Sequence, residues 1–199
     1  MNRPAYPRDR IEAVLFRAKL PPSYRIVPGR YVASPMGTAS ADSRFCSKTG
    51  VYTMLYASPD FATSFIETVV RDRFVRRRRR EILLKEVTER VWASIATKPR
   101  IGLTLLDLRH DGCILIGAQT DTVNARNHAA GRAFGKAIYS DHDDIDGLVY
   151  AFRLTGSDVY AVFDRAVGKL ELTASGLLPD HPELPDVLGK HGIGLVLER

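Results

Sequence analysis

Two runs rich in Val, Tyr and Phe, DGLVYAFRL (146–154) and DVYAVFDRA (158–166), flank Thr155-Gly156-Ser157, and no other feature limits the possible fold so narrowly. Ring-bearing and β-branched side chains favour extended backbone, and a glycine in a three-residue connection permits a tight reversal, so the spacing predicts an antiparallel hairpin. Further extended runs accompany it. VYTMLYAS, bounded by Gly50 and the Ser58-Pro59-Asp60 group, reads as a buried strand, GLTLLDLR (102–109) as another, Tyr24–Val27 as a short one and GIGLVLER (192–199) as the last. Residues 81–97 read as a strand or helix followed by a strand. Helical spacing is found in three places: residues 8–19, with Ile11, Val14, Leu15 and Ala18 on one face; a helix from Ser58 to near Phe74; and 121–138 despite Gly131 and Gly135. In the second, Ser58 is the expected N-cap, Pro59 the first helical residue, and Phe61, Phe65 and Val69 the apolar stripe. A short helix is expected among Pro179, Pro182 and Pro185. Strands and helices thus intermingle, as in an α/β (α+β) fold.

The chain has 199 residues, 45% of them hydrophobic and 9% aromatic, which suits one globular domain with a real core and excludes disorder. No apolar run approaches the roughly 18 residues of a membrane helix. The N-terminal stretch has charges scattered through its only apolar patch, so a cytoplasmic location is expected. Cys46 and Cys113 have no neighbouring cysteine and read as ordinary thiols. The net charge of +6 is local: RDRFVRRRRR (71–80) holds seven arginines and one aspartate, which accounts for all of it. Such a run is a solvated face or a surface for phosphates or an acidic partner. With Phe74 as its only aromatic residue and no DNA-binding motif nearby, it gives little support to nucleic-acid binding.

Searches for nucleotide loops, zinc-protease helices and serine-hydrolase elbows find nothing. The acidic group Asp141, Asp143, Asp144 and Asp146 precedes a strand as a solvated turn would, and no histidine has a partner at ligand spacing; no metal is expected.

One constellation stands apart: Arg25 in an early strand, Arg44 in Ser-Arg-Phe-Cys, Tyr56 closing a buried strand and Glu67 eleven residues later in the following helix. The run RFCSKTGVYTMLYASPDFATSFIETVV resembles the RES domain pattern, in which an arginine-aromatic pair precedes a strand ending in Leu-Tyr-x-Ala, then a loop and a helix with glutamate. DGLVYAFRLTGSDVYAVFDRA is similar to the family's closing hairpin. The resemblance covers about residues 22–170 of a single domain spanning 1–199, with an N-terminal helix before it and a C-terminal extension, 171–199, after it.

That resemblance implies a central split β-sheet flanked by helices, similar to ADP-ribosyltransferases. It also implies a toxin of a type II toxin-antitoxin pair that cleaves the nicotinamide-ribose bond of NAD, with water or phosphate as acceptor. Some members transfer the ADP-ribose to a protein instead. NAD would be substrate, with no metal. The partner would be an Xre-like helix-turn-helix antitoxin, through which alone the protein would meet nucleic acid; no membrane partner is implied. Chemistry makes the residue types sensible. Guanidinium groups bind pyrophosphate through paired hydrogen bonds, which suits Arg25, Arg44 and Arg153. Tyr56 offers a ring for nicotinamide and a hydroxyl for ribose. Cleavage passes through an oxocarbenium-like transition state that a carboxylate stabilises, which suits Glu67, with Arg25 beside it in the catalytic set. Each has a plainer reading: Glu67 precedes Arg71 by four residues and would pair with it for a few tenths of a kcal/mol.

The chain departs from the family at its serine. In the expected Tyr-x-Ser-Arg, the residues are Tyr150, Ala151, Phe152 and Arg153. Either a hydroxyl from Ser140, Thr155 or Ser157 replaces it, or NAD binds differently, or the chemistry is lost and a protein-binding module remains. A nucleic-acid-binding protein using Arg71–Arg80 is the remaining rival.

Overall fold

Alternation along the strands builds the architecture. The computed structural model describes residues 5–125 and 127–197. In chain order the elements are α1 (Arg8–Glu12), β1 (Leu15–Ala18), β2 (Ser23–Pro28), β3 (Met54–Ala57), α2 (Phe61–Phe65) running into a π-helical turn (Ile66–Val70), β4 (Glu81–Leu83), α3 (Lys85–Thr88), β5 (Arg90–Thr97), β6 (Leu103–Asp107), α4 (Gly112–Ile116), α5 (Asp121–Asn124), α6 (Ala129–Asp141), β7 (Gly147–Ala151), β8 (Asp158–Phe163), β9 (Leu170–Leu177), α7 (Leu184–His191) and β10 (Gly194–Val196). Five strands form one sheet in the order β1-β6-β7-β8-β3, three form a second in the order β2-β5-β9, and β4 and β10 pair in parallel. Successive side chains of a strand point to opposite faces. Leu106, Leu148 and Ala161 accordingly join the larger apolar cluster, whereas Leu105 and Val162 join a smaller one that also takes Ile95 and Leu170 from the second sheet. The five-stranded sheet is therefore buried on both faces.

The expected hairpin is β7 and β8, antiparallel from Gly147↔Val162 to Ala151↔Asp158. Among the described residues the two sheets, which share the smaller cluster, are also joined by an isolated bridge, where Tyr24 and Ser58 exchange backbone hydrogen bonds of 2.6 and 2.9 Å. Beyond it they part, giving the split mixed α/β architecture.

Four local expectations are corrected. Residues 8–19 do not form one helix: α1 stops at Glu12, and Leu15–Ala18 pairs antiparallel with β6, Leu15 opposite Leu106. Tertiary pairing overrides helical spacing there. The cap of α2 is Asp60, whose carboxylate accepts from the backbone N–H groups of Ala62 and Thr63 at 3.2 and 3.1 Å; Ser58 instead donates to the Asp158 carbonyl at 2.7 Å. The helix ends at Val70, not Phe74, because Arg71 takes φ 43°. The helix expected over 121–138 is two, α5 and α6. The expected helix crosses residue 126 and the expected last strand ends at residues 198–199, all of which lie outside the described residues. Residues 171–199, read as an extension, supply nearly all of β9, together with α7 and β10.

No helix among the described residues is long and apolar enough to cross a membrane, and Cys46 and Cys113 are free and buried.

Candidate active site

Where the sheets part, a cavity of about 460 Å³ opens, within the range of small-molecule sites, about 300–1,000 Å³. Strand β2 delivers Arg25 to it. Nη1 of Arg25 is buried and has no hydrogen-bond partner among the described residues, and loss of water pulls the guanidinium's pKa down to about 10. Leaving a buried cationic donor unpaired is costly, so the group is held ready for an anion.

Arg44 comes from the loop before β3. It is buried, and its Nη1 donates to the Ala125 carbonyl at 2.9 Å. Two glycines fix this loop. A Cβ at Gly131 would stand 2.5 Å from the Arg44 carbonyl oxygen, and one at Gly135 would stand 2.5 Å from that of Phe45, so α6 offers the loop a bare stripe. Two tyrosines clamp the other side. The Tyr52 hydroxyl donates to the Phe45 carbonyl at 2.5 Å, and the Tyr56 hydroxyl accepts from the Phe45 N–H and Ser43 Oγ, both at 3.0 Å. Tyr56 lines the cavity, with its hydroxyl committed to this loop.

Glu67 sits in the π-helical turn, an insertion common at functional sites. Phe61, Phe65 and Val69 are buried, while Glu67 faces the cavity. Tyr150 Oη donates to Glu67 Oε1 at 3.2 Å. Burial pushes the Glu67 carboxyl up, and the Tyr150 hydrogen bond and the Arg71 and Arg44 charges oppose it without cancelling it. Burial likewise raises the Tyr150 hydroxyl well above its ordinary value. The expected pairing of Glu67 with Arg71 is absent as a direct ion pair among the described residues.

Arg153 stands at the rim, where its Nη2 contacts both carboxylate oxygens of Asp72 at 2.8 and 2.7 Å. All five residues singled out from sequence, Arg25, Arg44, Tyr56, Glu67 and Arg153, thus line one cavity. Phe152 lines it too, as a buried apolar wall. The hydroxyls nominated to replace the serine do not. Thr155 Oγ1 pairs with Thr63 Oγ1 at 2.8 Å, Ser157 Oγ donates to Asp60 Oδ2 at 3.4 Å, and Ser140 lies near the end of α6. The lining serine and threonine hydroxyls are those of Ser43, Ser64 and Thr68, and Ser64 Oγ donates to the Tyr24 carbonyl at 2.8 Å.

His128, which precedes α6, lines the cavity and was invisible in the sequence, where it has no partner at any motif spacing. Burial pulls its pKa down, as do the Arg44 and Arg71 charges. No group of three or more metal-ligating side chains that could hold an ion occurs among the described residues.

A family model described as "RES domain" matches residues 22–181. A curated relative from Sinorhizobium fredii, described as "Probable toxin y4kH", is 35% identical over 95 residues, covering 47% of this chain and 75% of the relative. Among solved structures, the M. tuberculosis MbcT-MbcA toxin-antitoxin complex contains a chain that superposes with a TM-score of 0.61 at 16% identity. The match covers 84% of this chain and 89% of that one, a likeness of fold.

Proposed function

The chain belongs to the RES domain family, and on that premise we propose that it is the toxin of a toxin-antitoxin pair, binding NAD in the cavity and cleaving the bond between nicotinamide and ribose. The observation that carries this reading is the pairing, in one cavity, of an orphaned buried guanidinium with a desolvated carboxylate. Arg25 and Arg44 hold the pyrophosphate. Arg153 joins them by exchanging Asp72 for a phosphate oxygen. Phe152, in the place of the family's serine, gives a planar ring an apolar wall, and Ser64 and Thr68 supply hydroxyls for the ribose.

In the reaction, the C1′–N bond breaks and its electron pair leaves with nicotinamide, which departs neutral. Positive charge appears on the ribose. Glu67, poorly solvated before the reaction, is stabilised by that charge as it develops, and so favours the transition state over the ground state. An oxygen of water or phosphate then bonds to C1′; water gives up a proton, for which Glu67 is the acceptor. Tyr150 holds the carboxylate in place through Oε1. The antitoxin partner and the cytoplasmic setting belong to the same reading.

The test is incubation of pure protein with NAD, following nicotinamide release by chromatography with water alone and with phosphate present. Wild type releases nicotinamide and Glu67→Gln does not. Equal release by the two would overturn the assignment.

A further inference from the structure

Outside the predicted set, one residue at the cavity combines an unfavourable backbone with a side chain that makes no hydrogen bond or ion pair to the described residues. Arg71 closes the π-helical turn: its N–H donates to the Ile66 carbonyl, five residues back, at 2.6 Å, and its backbone is at φ 43°, ψ −125°. Glycine reaches that region freely, but a side-chain-bearing residue does so only under strain. The described non-glycine residues with positive φ are Arg71, Arg76, Arg100 and His110, and of these only Arg71 lines the cavity. A turn selected for its shape alone would favour glycine here. The position carries an arginine side chain despite that cost.

Its surroundings show what that side chain is for. Of the two rim arginines, Arg153 is neutralised by Asp72, whereas Arg71 is exposed and makes no ion pair among the described residues. The same turn holds Glu67, and both side chains line the one cavity. We infer that Arg71 is a substrate-positioning residue, an outer anion-binding group that seats a phosphate of the bound nucleotide at the cavity mouth while Arg25 takes the inner one. This rests on the NAD reading and deepens it.

The experiment is calorimetric titration of NAD and of ADP-ribose into wild type, Arg71→Gly and Arg71→Lys, with melting curves and nicotinamide release for each. Arg71→Gly relieves the backbone, so it melts at or above the wild-type temperature. It binds both ligands about tenfold or more weakly and, at a pH where Glu67 is ionised, raises KM while leaving kcat nearly unchanged. Arg71→Lys recovers part of the affinity. Wild-type affinity in Arg71→Gly overturns the inference and leaves the NAD reading standing. So does a lower melting temperature in Arg71→Gly with no recovery by lysine, because the arginine would then be holding the turn. A wild type that binds neither ligand overturns the NAD reading, and this inference with it.

Discussion

Two half-buried arginines are used in contrasting ways. Arg165, after β8, gives every nitrogen to the chain: Nε and Nη2 reach the Ile145 carbonyl at 3.1 and 2.6 Å, Nη1 that of Tyr139 at 2.9 Å, and Nη2 that of His142 at 2.7 Å. Its guanidinium also lies over the rings of Tyr139 and Phe163, at 4.5 and 5.0 Å from their centroids. Arg25 has an Nη1 that touches no acceptor among the described residues. A guanidinium whose donors all find carbonyls holds a fold together. One left short of acceptors weakens the fold and is available to an added anion. Framework and cavity should therefore respond oppositely to substitution, one in stability and the other in chemistry.

The sharpest break in that contrast is expected at Glu67. Glu67→Gln should lower kcat by about 10²–10⁴-fold, by the magnitude typical of such groups, measured as nicotinamide release. Its melting temperature should hold or rise. Because burial raises the folded-state pKa above the unfolded one, the protonated carboxyl favours the fold, and that contribution is lost as pH rises through the raised value. Melting curves from acid to neutral pH should show this decline in wild type but not in Glu67→Gln. For the same reason wild-type kcat/KM, which reports the free enzyme, should climb with pH on a limb displaced upward from the ordinary carboxylate value.

At Arg165 the signs reverse. Arg165→Met leaves three carbonyl groups without their donor and should cost about 3 kcal/mol of stability in urea unfolding, with KM of the folded fraction unchanged. Arg25→Met should weaken NAD binding by about ten- to a hundredfold, seen in titration, while the melting temperature stays level or increases. The smallest effect belongs to the rim. Asp72→Asn frees Arg153 and should tighten NAD binding by about two- to fivefold, more at low salt than at high.

How much of this was legible in the sequence follows from how local each signal was. The β7–β8 hairpin, β3 and the apolar stripe of α2 lie in short windows and were readable. So was the convergence of Arg25, Arg44, Tyr56, Glu67 and Arg153, through a family resemblance that supplied what spacing alone could not. Residues 15–18 were misread as helix because their strand state depends on β6, some ninety positions away. The break between α5 and α6 is marked by Asn127, whose Oδ1 accepts from the Ala129 N–H at 2.9 Å, whereas the π-helical turn has no such cap. Gly131 and Gly135 were the missed signal: two bare positions one turn apart on a helix indicate that other backbone lies against it, and that backbone carries Arg44. His128 had no readable cue.

The parallel pairing of β4 with β10 bears on the order of assembly during synthesis. Residues 81–83 find their strand partners in 194–196, so the segment bearing Arg71 and the arginine run, held between α2 and β5, waits for more than a hundred further residues before β4 is paired. At ordinary translation rates that interval is on the order of 10 s. At the start of that time the cavity lining up to Asp72 is already synthesised while His128, Phe152, Arg153 and Leu154 are still to come, so the cavity is completed late in folding.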